Sequence, residues 1–179
     1  MQKPLVMTVL GRDRTGLVES VASIVAEHGG NWLESRMCRL GGQFAGILRI
    51  EVPADKQSVL TRALEGLQSH GLSVLVYADQ PGAVSAAGTL TSLEIVGHDR
   101  PGIVRQISRA LAAQGVNVEE LSSELVSAPM SGETLFKAQA TLRLPANCRV
   151  ADLRKQLEEI AADLMVDISF ADLEPTTAA

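Results

Sequence analysis

Apolar residues recur along the chain with two different periods, and segments of the two kinds alternate. The apolar runs at 5–10 and 91–96 are short and rich in strand formers, which predicts β-strands. Each run leads into a segment whose apolar residues lie three or four positions apart, which predicts an amphipathic helix. Two strands, a second helix and a final strand complete each half, so the predicted order is β-α-β-β-α-β, twice. These later strands are predicted over 32–40, 43–52 and 72–78, and over 118–126, 134–144 and 164–171.

The two halves align without a gap over their first strand, first loop and first helix when residue 16 is placed over residue 102. The loop sequences are then Gly-Arg-Asp-Arg-Thr-Gly at 11–16 and Gly-His-Asp-Arg-Pro-Gly at 97–102. Further along, Gly29 meets Gly115 and Asn31 meets Asn117. Such self-similarity indicates a duplicated unit of about 85 residues, and hence two domains.

The element order predicts an α+β fold class: two ferredoxin-like domains, each an antiparallel sheet with two helices on one face. We expect a first domain over 1–79 and a second over 90–174. A segment rich in glycine, alanine and serine at 80–89 has no periodicity, which predicts a linker. Residues 175–179 are expected to form a flexible tail.

Composition narrows the function classes. Hydrophobic residues make up 46% of the chain, which predicts a packed core. The net charge of −5 disfavours direct binding to nucleic acid, since such binders neutralise phosphate with basic residues. The two cysteines form no metal-binding spacing and no apolar run is long enough to cross a membrane, so we expect a cytoplasmic protein without membrane contact.

The glycine-flanked loop allows two interpretations. In the first it is only a good helix start, in which Asp13 or Asp99 caps free backbone N–H groups and Pro101 occupies an early helical position. In the second, the N–H groups at the helix start attract a carboxylate while the aspartate receives an ammonium group. Together these groups would hold a zwitterion, that is, a free amino acid.

The pattern Gly-x-Asp-Arg-(Thr/Pro)-Gly, followed by an apolar helix and then Gly-x-Asn, resembles the ACT domain, a regulatory module that binds small molecules. Both halves carry it, so the resemblance covers nearly the whole chain. It implies that effectors bind at interfaces between domains, through the first loop and the start of the second strand. The ligand-binding residues implied in this chain, with His98 added as a loop-lining residue, are Asp13, Arg14, Thr15, Gly16, Asn31, His98, Asp99, Arg100, Pro101, Gly102 and Asn117.

A freestanding tandem pair of this size is similar to the repressors that regulate glycine cleavage. That resemblance implies a transcriptional regulator that binds a small amino acid such as glycine or serine and acts through a protein partner, such as a LysR-type activator. We expect a homo-oligomer, with no cofactor and no metal. Two alternatives stay open: an ACT-type interaction module without ligand sensing, and a regulatory subunit of an enzyme of amino-acid metabolism.

An enzyme and an RNA-binding protein are disfavoured. His98 beside Asp99 suggests a general base, but the first half has Arg12 in that place and no nucleophile accompanies the pair. RNA-recognition motifs share the element order, but they stack bases on aromatic side chains, which form only 3% of this chain.

Overall fold

The computed structural model of the chain describes residues 1–79, 88–128 and 132–172. The chain divides into two compact units, residues 1–84 and 85–179. Most of the predicted linker and all of the predicted tail lie outside the described residues, so their bounds stay predictions.

Each unit has the predicted element order. The first unit comprises β1 (Gln2–Arg12), α1 (Leu17–Glu27), β2 (Asn31–Leu40), β3 (Gln43–Pro53), α2 (Gln57–Glu65), a 3₁₀ helix (Gly66–His70) and β4 (Leu72–Ala78). The second comprises β5 (Thr89–His98), α3 (Ile103–Ala113), β6 (Asn117–Ser127), β7 (Thr134–Leu144), α4 (Val150–Leu164) and β8 (Val166–Asp172).

The strands of each unit form a four-stranded antiparallel sheet, in the order β2-β3-β1-β4 and β6-β7-β5-β8. The first strand of each unit is therefore central, and the second and last strands are the edges. The predicted ferredoxin-like fold class is confirmed.

Alternation in the central strand places one side of the sheet against the helices. In the first unit Leu5, Met7 and Val9 are buried, and they pack with the α1 residues Val21 and Val25. The second unit repeats this arrangement with β5, α3 and α4. Each unit therefore has its own core. Burial of each of these aliphatic side chains contributes about 1.5–3 kcal/mol to the stability of its unit.

Apolar and polar residues alternate only imperfectly along β2 and β6, and this has a structural cause. A β-bulge lies between Trp32 and Glu34 in β2, and another lies between Val118 and Glu120 in β6. An extra residue at a bulge shifts the side chains beyond it to the other face of the sheet. The bulges occupy equivalent positions, which supports the duplication.

Two predicted boundaries are wrong. The last strand begins at Val166 rather than residue 164, because Leu164 ends α4 and Met165 turns the chain with a φ of 55°. The second helix of the first unit ends at Glu65, and Leu67 belongs to the 3₁₀ helix. In both cases buried apolar residues continue through a change in backbone conformation, which the apolar spacing does not reveal.

Met165 and Gly71 occupy equivalent turns immediately before the last strands, with φ angles of 55° and 79°. A side chain in this left-handed region costs about 1–2 kcal/mol. We therefore expect Met165→Gly to raise the free energy of unfolding of the second unit by roughly 0.5–1 kcal/mol, part of the gain being lost to chain entropy.

The matched control is Gly71→Ala, which should lower the stability of the first unit by about 1 kcal/mol, since nothing lies within 4 Å of the added Cβ. Urea unfolding measures both effects. Fluorescence of Trp32, the single tryptophan, reports the first unit, and circular dichroism reports both. A loss of stability in Met165→Gly would contradict the expectation.

Candidate functional site

The first glycine of each loop lies where the central strand meets the start of the last strand. A Cβ on Gly11 would lie 2.5 Å from the carbonyl oxygen of Gly71, and one on Gly97 would lie 2.6 Å from Cα of Val166. Backbone atoms cannot yield as a flexible side chain can. The two positions therefore admit only glycine without displacing the last strand.

The second glycine of each loop is required for a different reason. Gly16 and Gly102 immediately precede α1 and α3, with left-handed φ angles of 91° and 101°. An added Cβ would have nothing within 4 Å at Gly16, and only the Gln106 side chain, at 4.0 Å, at Gly102. Here glycine is required by the backbone angle. Within the described structure there is room for the added Cβ at both positions.

Neither helix is capped by a side chain from the described residues, so the capping interpretation is wrong for both aspartates. Asp13 instead faces the β2–β3 turn: its Oδ2 lies 2.5 Å from Nε of Arg39, and its backbone N–H donates to the Gly42 carbonyl. Asp99 is exposed, and its backbone N–H donates to the Thr134 carbonyl at 3.4 Å. Both loops thus lie beside the hairpin formed by the second and third strands.

The two loop arginines point toward the other neighbour of the loop. Nη2 of Arg14 donates to the carbonyl of His70 at 3.2 Å, and Nη2 of Arg100 lies 3.7 Å from Sδ of Met165. Each arginine therefore reaches the turn that precedes the last strand.

The remaining predicted loop residues are on the surface. Thr15 and Pro101 are exposed. Nε2 of His98 lies 4.0 Å from Oε2 of Glu133, and about half of the His98 side chain is exposed, 50%. No nucleophile joins His98 and Asp99 among the described contacts of this loop, and the arrangement offers exposed polar groups to a ligand.

Asn31 and Asn117 lie at the opposite end of the sheet from the loop of their own unit. Asn31 pairs with Glu51, which in turn pairs with Pro4, whereas the loop follows Arg12. Eight residues of strand at about 3.3 Å each separate Pro4 from Arg12, or about 26 Å. The structure therefore does not bring the predicted asparagine and the predicted loop together within either unit.

Each asparagine has a carboxylate partner near the bulge. Nδ2 of Asn31 donates to Oε1 of Glu51 at 3.4 Å, and Nδ2 of Asn117 donates to Oε1 of Glu119 at 2.9 Å. Nε of Arg143 donates to the same Glu119 oxygen at 2.9 Å. The starts of β2 and β6 are thus polar but differ in charge.

Sequence reasoning missed Arg39, the residue that neutralises Asp13. The signal was present in the predicted hairpin, because Gly41 and Gly42 bring the end of β2 back toward the first loop. It also missed Glu119, which is the extra residue of the β6 bulge. A bulge cannot be located from alternation that is merely imperfect.

Other chemistry is sparse in the described structure. Within those ranges no group of three or more His, Cys, Asp or Glu side chains is placed to hold a metal ion. None of the helices described is long and apolar enough to span a membrane. Both cysteines are free, and burial raises the pKa of the Cys148 thiol, which lowers its reactivity at neutral pH.

Comparison with known proteins gives two family matches. Sequence models of the ACT domain match residues 3–77 and 91–128, which together make up more than half of the chain. One relative is the glycine cleavage system transcriptional repressor of Escherichia coli strain K12. It is 24% identical over 166 residues, covering 91% of this chain and 86% of the repressor.

Solved structures share the tandem fold. A protein of unknown function from Galdieria sulphuraria is 28% identical, with a TM-score of 0.87 over 97% of this chain and 100% of that one. A structure assigned provisionally to the glycine cleavage system transcriptional repressors has a TM-score of 0.70 at 18% identity, over 97% of this chain and 99% of the other. At that identity the second likeness concerns the fold alone.

The two glycines of the first loop predict different responses to substitution. Gly11→Ala should lower the stability of the first unit by about 2–3 kcal/mol, since the methyl group meets the backbone of Gly71. Gly16→Ala should cost about 1–2 kcal/mol, since only the backbone angle is strained. Urea unfolding followed by Trp32 fluorescence measures both.

The comparison is internally controlled, because both changes add the same methyl group to the same loop. Equal losses of stability would contradict the distinction between close approach and backbone angle.

Proposed function

The chain belongs to the ACT domain family, and from this membership we propose that it is an amino-acid-responsive regulator of glycine cleavage genes. It acts in the cytoplasm through a protein partner rather than by binding DNA itself, and it carries out no catalysis. The support for this specific role is the similarity to a glycine cleavage repressor over 91% of the chain.

The proposal of ligand sensing is supported by the presence of the same exposed loop in both units. In each, a left-handed glycine precedes an uncapped helix, and an aspartate lies three residues before that glycine. Free N–H groups at a helix start favour a carboxylate, and the aspartate favours an ammonium group. A small amino acid such as glycine or serine presents both groups about one carbon apart.

The loop and the asparagine of one unit lie too far apart to contact the same small ligand. Asn31 lies about 26 Å along the sheet from the loop of its own unit, and Asn117 occupies the equivalent place in the second unit. We therefore propose that the loop is the part of each unit that binds the amino acid.

The net charge of the chain supports the proposal that it controls transcription indirectly. The chain carries a net charge of −5, which opposes approach to DNA phosphates. A DNA-binding activator of the LysR type is the proposed partner, because such a protein would itself make the contact with DNA.

A second candidate function is a protein-interaction module without ligand sensing. The specific observation in its favour is the ion pair between Asp13 and Arg39, which already occupies the carboxylate that an ammonium group needs. That pair is largely exposed on the arginine side, with 70% of the Arg39 side chain in solvent, so a ligand has to displace an interaction worth less than about 1 kcal/mol.

Calorimetric titration with glycine, serine and alanine separates the two candidates. We expect saturable binding of at least one amino acid to the intact chain. The double substitution Asp13→Asn and Asp99→Asn should weaken it by about tenfold or more, because it removes a charge-assisted hydrogen bond from each loop.

Arg39→Gln is the matched control. It releases the Asp13 carboxylate without changing it, so binding should be retained or tightened. Absence of heat for every amino acid, with unchanged circular dichroism, would favour the interaction module.

A DNA mobility-shift experiment tests the indirect route. We expect the chain alone to leave a glycine cleavage promoter unshifted, and to change the shift given by a LysR-type activator in a glycine-dependent way. A direct shift by the chain alone would contradict the proposal, whereas an effect on the activator that ignores glycine would favour the second candidate.

A further inference from the structure

The two sheets differ on the face that the helices do not cover. In the first unit this open face carries eight apolar side chains, together with the charged Glu34, Arg36 and Arg49. Its rows are set by strand pairing: Val6 lies beside Tyr77, and Ile47 and Leu75 flank Thr8. Cys38 and Leu40 extend it onto β2. The apolar residues of this face are Val6, Leu10, Cys38, Leu40, Ala45, Ile47, Leu75 and Tyr77.

These side chains are in solvent to an unusual extent for apolar residues. The exposed fraction is 54% for Leu10, 57% for Ile47, 54% for Leu75 and 55% for Tyr77, and it reaches 79% for Leu40. Isolated exposed apolar residues are ordinary, but a contiguous apolar patch on a sheet marks an interaction surface or an aggregation hazard.

The second unit provides an internal comparison, because its sheet has the same topology and register. At the positions equivalent to Val6, Ile47 and Leu75 it carries Ser92, Gln139 and Ser169. Glu94 lies between Gln139 and Ser169, and its Oε1 is 3.3 Å from Nζ of Lys137 in the next row. The first unit has Thr8 and Ala45 at these two positions.

The open face of this fold therefore does not have to be apolar for the unit to fold. Folding does not explain the apolar residues on the open face of the first unit, since they are not among the buried residues of its core. An uncovered face of this kind requires a cover in the working protein.

We propose that the cover is the same face of a second copy of this chain, packed sheet against sheet. The face spans four strands about 4.8 Å apart and about six residues at 3.3 Å, or about 400 Å² in projection per copy. Because protruding side chains make the accessible surface larger than its projection, two such faces bury about 1,000 Å² in total. This is the lower bound for a specific interface. A two-fold axis pairs the face with itself, so assembly closes at two copies.

The charged margin of the face fits the same arrangement. Arg36 is paired with Glu34 at 2.7 Å, and Nε of Arg49 lies 2.6 Å from Oδ2 of Asp79. Arg49 pairs with Val6 across the strands and Arg36 pairs with Ile47, so these charges lie at one corner of the face, next to its apolar part. Because the charges are already paired, dimer formation leaves no single charge buried.

Sedimentation velocity over about a hundredfold range of concentration tests the proposal on the intact chain. We expect a species of twice the 19.0 kDa chain mass that dissociates on dilution. A single species of chain mass throughout overturns the proposal, even if another protein is later found to bind this face.

The decisive variant places the residues of the second unit at the equivalent positions of the first: Val6→Ser, Ile47→Gln and Leu75→Ser together. It should raise the dissociation constant of the dimer at least about a hundredfold, since burial of each apolar side chain is worth about tenfold or more. The control is Val59→Gln, an exposed valine on α2 that lies away from this face; it should leave the dimer unchanged. A triple variant that remains dimeric and folded overturns the proposal.

A measurement on the unaltered chain covers the case in which the triple variant does not fold. Cys38 is exposed and lies on the open face opposite Ala45, whereas Cys148 packs against the core of the second unit. Maleimide labelling of Cys38 should slow about tenfold or more as the chain concentration rises, with Cys148 as the internal reference. A Cys38 rate that does not change with concentration overturns the proposal.

Discussion

The close approach of the last strand to the end of the central strand constrains the rest of each unit. Gly11 and Gly97 admit that approach because they have no Cβ. Once the last strand is seated there, the chain has to leave the sheet at once, and Gly16 or Gly102 turns it into a helix with a left-handed angle. Arg14 or Arg100 then reaches the turn before the last strand. The loop is thus in contact with that turn on one side and with the hairpin of the second and third strands on the other.

The fold separates the chemistry of a unit into two ends. The loop and the hairpin turn lie at one end, with Asp13 held by Arg39, and the asparagine and its carboxylate partner lie at the other. A single unit therefore carries two separate groups of polar residues at opposite ends of its sheet. The duplication gives the chain both groups twice, with different charges around Asn31 and Asn117.

Local signals predicted most of the fold. Apolar spacing located the strands and helices, and the repeated loop revealed the two units, because both depend on residues near one another in sequence. The predicted hairpin brings the end of β2 toward the first loop, but it does not show which side chains meet there, so the Asp13–Arg39 pair was missed. The turn at Met165 was missed because it depends on a backbone angle that no local pattern carries. The apolar open face was missed for a related reason: a run such as residues 5–10 predicts a strand without showing that both of its faces are apolar.

The pairing of β1 with β4 brings the two ends of the first unit together. Leu5 pairs with Ala78, and the backbone N–H of Asp79 donates to the carbonyl of Pro4 at 3.2 Å. The second unit has the same closure, since Thr91 pairs with Asp172. A module that begins and ends on adjacent strands can be copied head to tail with only a short connector, because neither copy has to be opened to admit the other. Each unit of such a tandem keeps its own core, so the surfaces of the two units can differ, as the open faces of these sheets do.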